Sequence, residues 1–294
     1  MPLNALPDKP RRYVEPGHLY IVATPIGNRE DITLRALGVL AEVDLVAAED
    51  TRHTARLFSL HGISNRTLSC HEHNEKERIP LIMEKLKNGL SVALVSNAGT
   101  PTVSDPGYRM VKAAIEHHIP VVPIPGVCAS ITALCASGLS TDSFVFMGFL
   151  DRKKQKRALQ AGEIKSEKRT VILYESPRRI VALLTELTDI MGTRKAVLTR
   201  ELTKIHEEFI HGSLAEILAE IEQREEIKGE CTLVIAGGED EAITPETLRD
   251  EIKSALETSN EKPSALAKSI ADKTGVPRQL IYNEILKLKE NTSE

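Results

Sequence analysis

Four short apolar runs in the first half of the chain each end in a loop of unusual composition, and three of those loops lead into helical patterns. The most informative run is Ser91-Val92-Ala93-Leu94-Val95. It passes directly into Ser96-Asn97-Ala98-Gly99-Thr100-Pro101-Thr102-Val103-Ser104-Asp105-Pro106-Gly107, and a helical pattern follows from Tyr108 to His117. Small residues at the carboxyl end of a buried strand let backbone N–H and C=O groups come close to a ligand, where open α/β sheets bind their ligands. The order recurs. His18 to Ala23 runs into Thr24-Pro25-Ile26-Gly27-Asn28 and a helix beginning near Asp31. Val43 to Ala48 ends in the polar cluster Glu49-Asp50-Thr51-Arg52-His53, and Val121 to Ile124 leads into Pro125-Gly126-Val127-Cys128-Ala129-Ser130 and a helix of small residues. A tight connection with no ligand would account for one such loop. Their recurrence predicts an α/β fold with a largely parallel sheet and several strand ends converging on one crevice. None of the loops matches G-x-G-x-x-G or the Walker pattern, which disfavours an ordinary dinucleotide or nucleoside triphosphate.

The second half reads differently. Strands are expected near 143–147, 170–174, 195–199, 207–211 and 231–235, with helices over 178–191 and 213–224. Between Thr199 and His211 there is no room for a helix, so a hairpin and a mixed sheet are expected there. After Gly237-Gly238 come three helical patterns, the last two joined by Lys273-Thr274-Gly275-Val276-Pro277. That unit is read as a small helical cap, with a helix-turn-helix as the alternative. The expected organisation is a disordered arm over 1–16, an N-terminal α/β domain over 17–127, a C-terminal α/β domain over 128–240 and a helical unit over 241–294.

Composition narrows the function. Aromatics make up 3% of the chain and Trp is absent, which argues against single strands held mainly by aromatic stacking. The net charge of −4 offers no global basic field, so any nucleic-acid contact must come from a local patch. Four cysteines with no C-x-x-C pair, no secretory signal and no long apolar stretch point to a cytoplasmic protein with free thiols. Cys70-His71-Glu72-His73 invites a metal reading, yet it lacks a second ligand pair at zinc-site spacing.

Ala23-Thr24-Pro25-Ile26-Gly27-Asn28, Ala48-Glu49-Asp50-Thr51-Arg52, His73-Asn74-Glu75, Ser96 to Pro101, Pro125-Gly126, Tyr174-Glu175-Ser176-Pro177-Arg178-Arg179, Arg200 to Lys204 and Gly229-Glu230 carry a family resemblance. In order and spacing, over roughly residues 17 to 238, the chain resembles the ribosomal RNA methyltransferases of the tetrapyrrole-methylase superfamily. The resemblance implies a two-domain tetrapyrrole-methylase-like fold: a mostly parallel first sheet, a mixed second sheet and a C-terminal helical appendage. It implies S-adenosylmethionine as methyl donor and the ribose 2′-hydroxyl of a 16S rRNA cytidine, in free RNA or the 30S subunit, as acceptor. A homodimer with no membrane association is expected. His73-Asn74-Glu75 would then position substrate. The family usually carries Asp where this chain has Asn97; the amide keeps an acceptor oxygen but no charge. Two other readings remain open: a C-methyltransferase acting on a tetrapyrrole such as a precorrin or uroporphyrinogen, and a non-catalytic RNA-binding assembly protein.

Carried over loop by loop, the resemblance places cofactor against Pro25, Asn97, Ala98, Gly99, Val103, Ala129, Ser130, Tyr174 and Cys231. A ribose hydroxyl must lose its proton, and candidate bases are the strand-end carboxylates Glu201, Glu175 and Glu49. Glu201 is preferred because it lies in the half that carries the basic run and has Arg200 and Lys204 close in sequence to orient it. The basic run after Leu150 and nearby cations supply an RNA face of Arg152, Lys153, Lys154, Lys156, Arg157, Arg178, Arg179 and Arg200. A solvated loop is the simpler account of the run.

Overall fold

A computed structural model describes residues 12–238, 245–258 and 262–291. The first sheet has five parallel strands: β1 Leu19–Val22, β2 Leu45–Ala48, β3 Thr67–Ser69, β4 Val92–Val95 and β5 Val121–Ile124, in the order β3-β2-β4-β1-β5. Apolar residues line both faces because helices cover both. On one side α1 (Leu34–Glu42) and α2 (Thr51–His61) pack Val39, Leu40, Leu57 and Phe58 against Tyr20, Val22, Val46 and Val95. On the other, α3 (Glu75–Lys87) and α4 (Tyr108–Glu116) pack Ile82, Leu86 and Met110 against Leu19, Ala47, Val92 and Leu94. The helices after β1 and β4 therefore leave to opposite faces although the strands are neighbours. The chain diverges there, and a crevice opens at the strands' carboxyl ends.

The second sheet is mixed, as expected. It consists of β6 Phe144–Phe149, β7 Thr170–Glu175, β8 Lys195–Arg200, β9 Glu208–Ser213 and β10 Cys231–Ile235, in the order β6-β7-β10-β8-β9. Only β6 and β7 run parallel; β8 and β9 form the hairpin anticipated from the short spacing. One face is covered by α6 (Lys154–Ser166), α7 (Ile180–Met191) and α8 (Leu214–Glu222) around a large aliphatic core. The other carries α5 (Ala129–Ala136) and a smaller cluster in which Ile172 and Val234 pack with Ala133, Leu134 and Leu202, with Ile26 from the β1 loop against it.

By contacts the chain forms two compact units, residues 1–237 and 238–294. Both sheets lie in the first unit, one in each of the segments expected as separate domains. Of the expected arm, residues 1–11 lie outside the described set. Residues 12–16 pack instead on the first sheet: Val14 is buried, the Tyr13 N–H donates to Glu42 and the Glu15 N–H donates to the Tyr20 hydroxyl. The second unit is α9 (Pro245–Thr258), α10 (Pro263–Thr274) and α11 (Arg278–Asn291) around Ile252, Ile270, Ile281 and Ile285. Four elements were not anticipated: α2, β3, α3 and α6. Polar residues begin all three helices, and Pro80 lies inside α3.

Candidate active site

The loops after β1 and β4 meet at the crevice. Thr24 and Gly99 form an isolated antiparallel bridge, with N–H to O distances of 2.9 Å in both directions. Gly99 has φ +79° there. The Thr24 hydroxyl donates to the Ser96 carbonyl. The Thr100 hydroxyl donates to the Val127 carbonyl, tying in the β5 loop. Beyond Gly99 the chain holds two non-glycine residues in the left-handed region, Thr102 (φ 75°) and Ser104 (φ 61°). For a β-branched residue that conformation is costly and is kept only where surrounding contacts enforce it.

These loops and the ends of β7 and β10 enclose a cavity of about 450 Å³, a size ordinary for a small-molecule site. Of the residues expected to hold cofactor, Asn97, Ala98, Gly99, Val103, Ala129, Tyr174 and Cys231 line it. Two do not. Pro25 lines an adjoining cavity, together with Ser96, Asn97 and Ala98 of the β4 loop. Ser130 is buried in the first turn of α5, and its N–H donates to the Tyr174 hydroxyl at 2.9 Å. That bond fixes the ring that does line the site. Phe146 and Phe149 meet the same ring edge-on, with centroids 4.9 and 5.8 Å away. Burial pushes the Tyr174 phenol up to about 12 and the Cys231 thiol up to about 12. Both are neutral wall groups, and Cys231 is no nucleophile.

The carboxylates are placed unequally. Glu49 lines the cavity and accepts the Asn97 N–H at 3.0 Å, which holds the β4 loop in place. Glu175 also lines it, is 3% exposed, and pairs with Arg179 at 2.9 Å while accepting the Ser176 N–H. Glu201, the preferred base from sequence, is not among the lining residues. It sits at φ 50° in the turn after β8 and pairs with Lys204 at 2.7 Å. That ammonium holds its carboxyl below the usual glutamate range, which suits an ion-pair partner better than a proton acceptor.

Asp105 was missed as a site residue. It lines the cavity, and burial raises its carboxyl to about 6. The Ser96 hydroxyl opposes that rise, while the nearby charges of Glu49 and Glu230 add to it. It lies within the loop that sequence singled out, but only the fold brings Glu49 and Glu230 beside it. Asn97 contributes a different signal. Its side-chain oxygen is buried with no hydrogen-bond partner among the described residues, so the cavity wall holds an acceptor without a donor. Unpaired buried acceptors are expensive and call for a partner.

The expected RNA face divides. Arg152, Lys153, Lys154 and Arg178 are exposed and make no ion pair among the described residues, whereas Lys156 lies 3.7 Å from Asp151. Arg157 forms a two-pronged pair with Glu186, Arg179 is held by Glu175, and Arg200 is held by Glu208 and the Lys228 carbonyl. Those three are engaged by partners within the chain, unlike the first four. The basic run is the start of α6 rather than a loop. Cations in a first turn oppose the helix dipole, so helix stability does not explain them.

His73-Asn74-Glu75 also resolves differently from expectation. Glu75 is buried, accepts the Met110 N–H and lies 3.7 Å from Arg109, thereby serving the start of α4. Asn74 accepts the His71 N–H. Among the described residues no group of three or more His, Cys, Asp or Glu is placed to hold a metal ion. No described helix is long and apolar enough to cross a membrane.

Two α/β halves that frame a cavity of small-molecule size at their strand ends define a class of ligand-binding α/β proteins. The family model of Tetrapyrrole (Corrin/Porphyrin) Methylases matches residues 18–218, and the chain belongs to that family. Ribosomal RNA small subunit methyltransferase I of Vibrio cholerae is 47% identical over 257 residues, covering 86% of this chain and 89% of that protein. The protein of the same name from Mesorhizobium japonicum is 45% identical over 287 residues, covering 97% and 96%. A crystal structure of uroporphyrin-III C-methyltransferase from Thermus thermophilus, complexed with S-adenyl homocysteine, superposes with a TM-score of 0.53. It is 19% identical and covers 74% of this chain and 97% of that one; the likeness is one of fold.

Proposed function

We propose that the chain transfers a methyl group from S-adenosylmethionine to ribosomal RNA of the small subunit. Relatives bearing that activity in their names, at 45–47% identity over most of their length, support the substrate. The observation that carries the cofactor is the buried Asn97 side-chain oxygen, which lies on a segment lining the cavity and has no hydrogen-bond partner among the described residues. Such an acceptor calls for a donor, and a bound ligand supplies one. Glu49, Asp105 and Glu230 add negative charge around the cavity, which complements a cationic donor. Bound there, S-adenosylmethionine supplies an activated methyl and a neutral thioether leaving group. The chain's task is to orient the acceptor and take its proton.

The acceptor is the ribose 2′-hydroxyl of a cytidine, and Asp105 takes its proton. With its carboxyl raised to about 6, Asp105 is ionised at neutral pH yet basic enough to share a proton. Glu49 positions the β4 loop, and Glu175 with Arg179 anchors the turn after β7. The same reading includes a homodimer in the cytoplasm, which light scattering and cell fractionation check.

Methyl transfer from labelled S-adenosylmethionine tests the function on 30S particles and on uroporphyrinogen side by side. Label in a 2′-O-methylcytidine of 16S rRNA is the expected result. Label in the tetrapyrrole alone would overturn the reading in favour of a C-methyltransferase. Cofactor binding without transfer to either would do so as well.

A further inference from the structure

A second cavity, of about 460 Å³, lies against the cofactor cavity and shares Ile26, Asn97, Ala98 and Glu230 with it. Segment 97–98 is thus a wall common to both. The second cavity is lined by basic residues that the first lacks: Arg29, Arg56 and Lys204, with His53 beside them. Arg29 stands on a single 3-10 turn after β1, whose start is capped when the Asn28 side chain accepts the Glu30 N–H. His53 and Arg56 are three apart on α2 and share a face with Leu57 and Leu60, which also line the cavity. Lys204 is already paired with Glu201 and Glu230. Arg29 and Arg56 are exposed and make no ion pair among the described residues, unlike Arg157, Arg179 and Arg200.

The 201–204 turn packs tightly against Gly27 at the edge of this cavity. A side-chain carbon on Gly27 would collide with Lys204 and come within 2.8 Å of the Thr203 hydroxyl. The Asn28 N–H donates to that hydroxyl at 2.9 Å. Glu201 and Thr203 both hold positive φ in the same turn. Backbone strain of this kind is kept where contacts enforce it, and it concentrates at functional sites. The turn sends Leu202 into the cofactor cavity and Lys204 into its neighbour.

We infer that this second cavity receives the RNA strand carrying the acceptor nucleotide, with Arg29 and Arg56 holding the phosphates on either side of it. The inference rests on the RNA-methylation reading and adds the route to it. Unpaired arginines suit phosphodiesters, and the Leu57–Leu60 side of the cavity suits the apolar faces of base and ribose. The strand would then reach the methyl donor past the 97–98 wall.

The test is 30S binding by the full chain carrying Arg29→Ala and Arg56→Ala together. We expect the affinity to fall at least about tenfold and the log–log salt slope to become shallower by about 1.4, since each single-strand phosphate contributes about 0.7. Affinity for S-adenosylmethionine should stay within about twofold of wild type, and the paired Arg→Lys variants should recover most of the binding, because a lysine neutralises the same phosphate charge. Unchanged 30S affinity, or lost affinity with an unchanged salt slope, would overturn the inference. So would a matching loss of cofactor affinity, which would assign the cavity to the methyl donor. A wild-type protein that binds cofactor but leaves 30S particles unmethylated would instead overturn the methylation reading beneath it.

Discussion

Thr24 and Gly99 exchange both backbone hydrogen bonds, each at 2.9 Å, and so join the loops that end β1 and β4. The bridge forms at the point where the chain diverges to the two faces of the first sheet. It lets two separate stretches of sequence act as one wall. A side-chain carbon at Gly99 would meet Ile26 at 3.5 Å and the Val127 carbonyl at 3.8 Å, ordinary contacts. The constraint is therefore the backbone angle of +79° rather than space.

Gly99→Val should strain that bridge by about 1–3 kcal/mol. A Tm drop of several degrees is expected for a unit of this size. Affinity for S-adenosylmethionine should fall by at least about tenfold, because the loop is no longer held ready for the ligand. Calorimetry and a melting curve on one sample check both. A stability loss with intact cofactor affinity would take the loop out of the site.

Asp105→Asn should lower the single-turnover methylation rate on the order of a hundredfold, the usual share of a positioned base. In wild type, kcat/KM should rise with pH through about 6, and the variant should lose that limb. Stability should move the other way. Because the folded carboxyl titrates above its ordinary 3.8, the native state binds the proton more tightly than the unfolded chain. Wild type therefore loses stability as pH rises from about 4 to about 6. At neutral pH Asp105→Asn should melt higher than wild type.

Glu201→Gln should keep the single-turnover rate within about fivefold, since Glu201 lies outside the cavity lining and is engaged with Lys204. Its lowered carboxyl contributes stability at neutral pH that disappears as pH falls through the acid range. A melting series from pH 7 to pH 3 should show wild type and variant converging. A hundredfold rate loss would return the base to Glu201.

Changing Lys153, Lys154 and Lys156 together to Glu should weaken 30S binding and leave cofactor affinity untouched. It should also raise the melting temperature, because Lys154 and Lys156 lie in the first turn of α6, where acidic residues are favoured by about 0.3–1 kcal/mol each. Binding and melting measured together distinguish an RNA-facing helix start from a merely solvated one.

Much of this fold is written in short-range patterns. The apolar runs of β1, β2, β4 and β5, each ending in small or polar residues, specify parallel strands because a strand covered on both faces must be apolar throughout. The spacing between β8 and β9 leaves room only for a hairpin. The 96–107 loop marks itself as a ligand wall by its lack of side-chain bulk. Other features depend on distant partners and are invisible locally. Whether a cation is free or bound turns on Glu186, Glu175 and Glu208, each carried by a separate element. Asp105 gains its raised carboxyl only by burial beside Glu49 and Glu230, drawn from 49 and 230 in the chain. Glu201 looks like a strand-end base until the turn at 201–204 pairs it with Lys204. Strand composition is governed by local burial, whereas charge at a site is governed by long-range Coulomb and desolvation effects. Those depend on which segments the tertiary fold brings together.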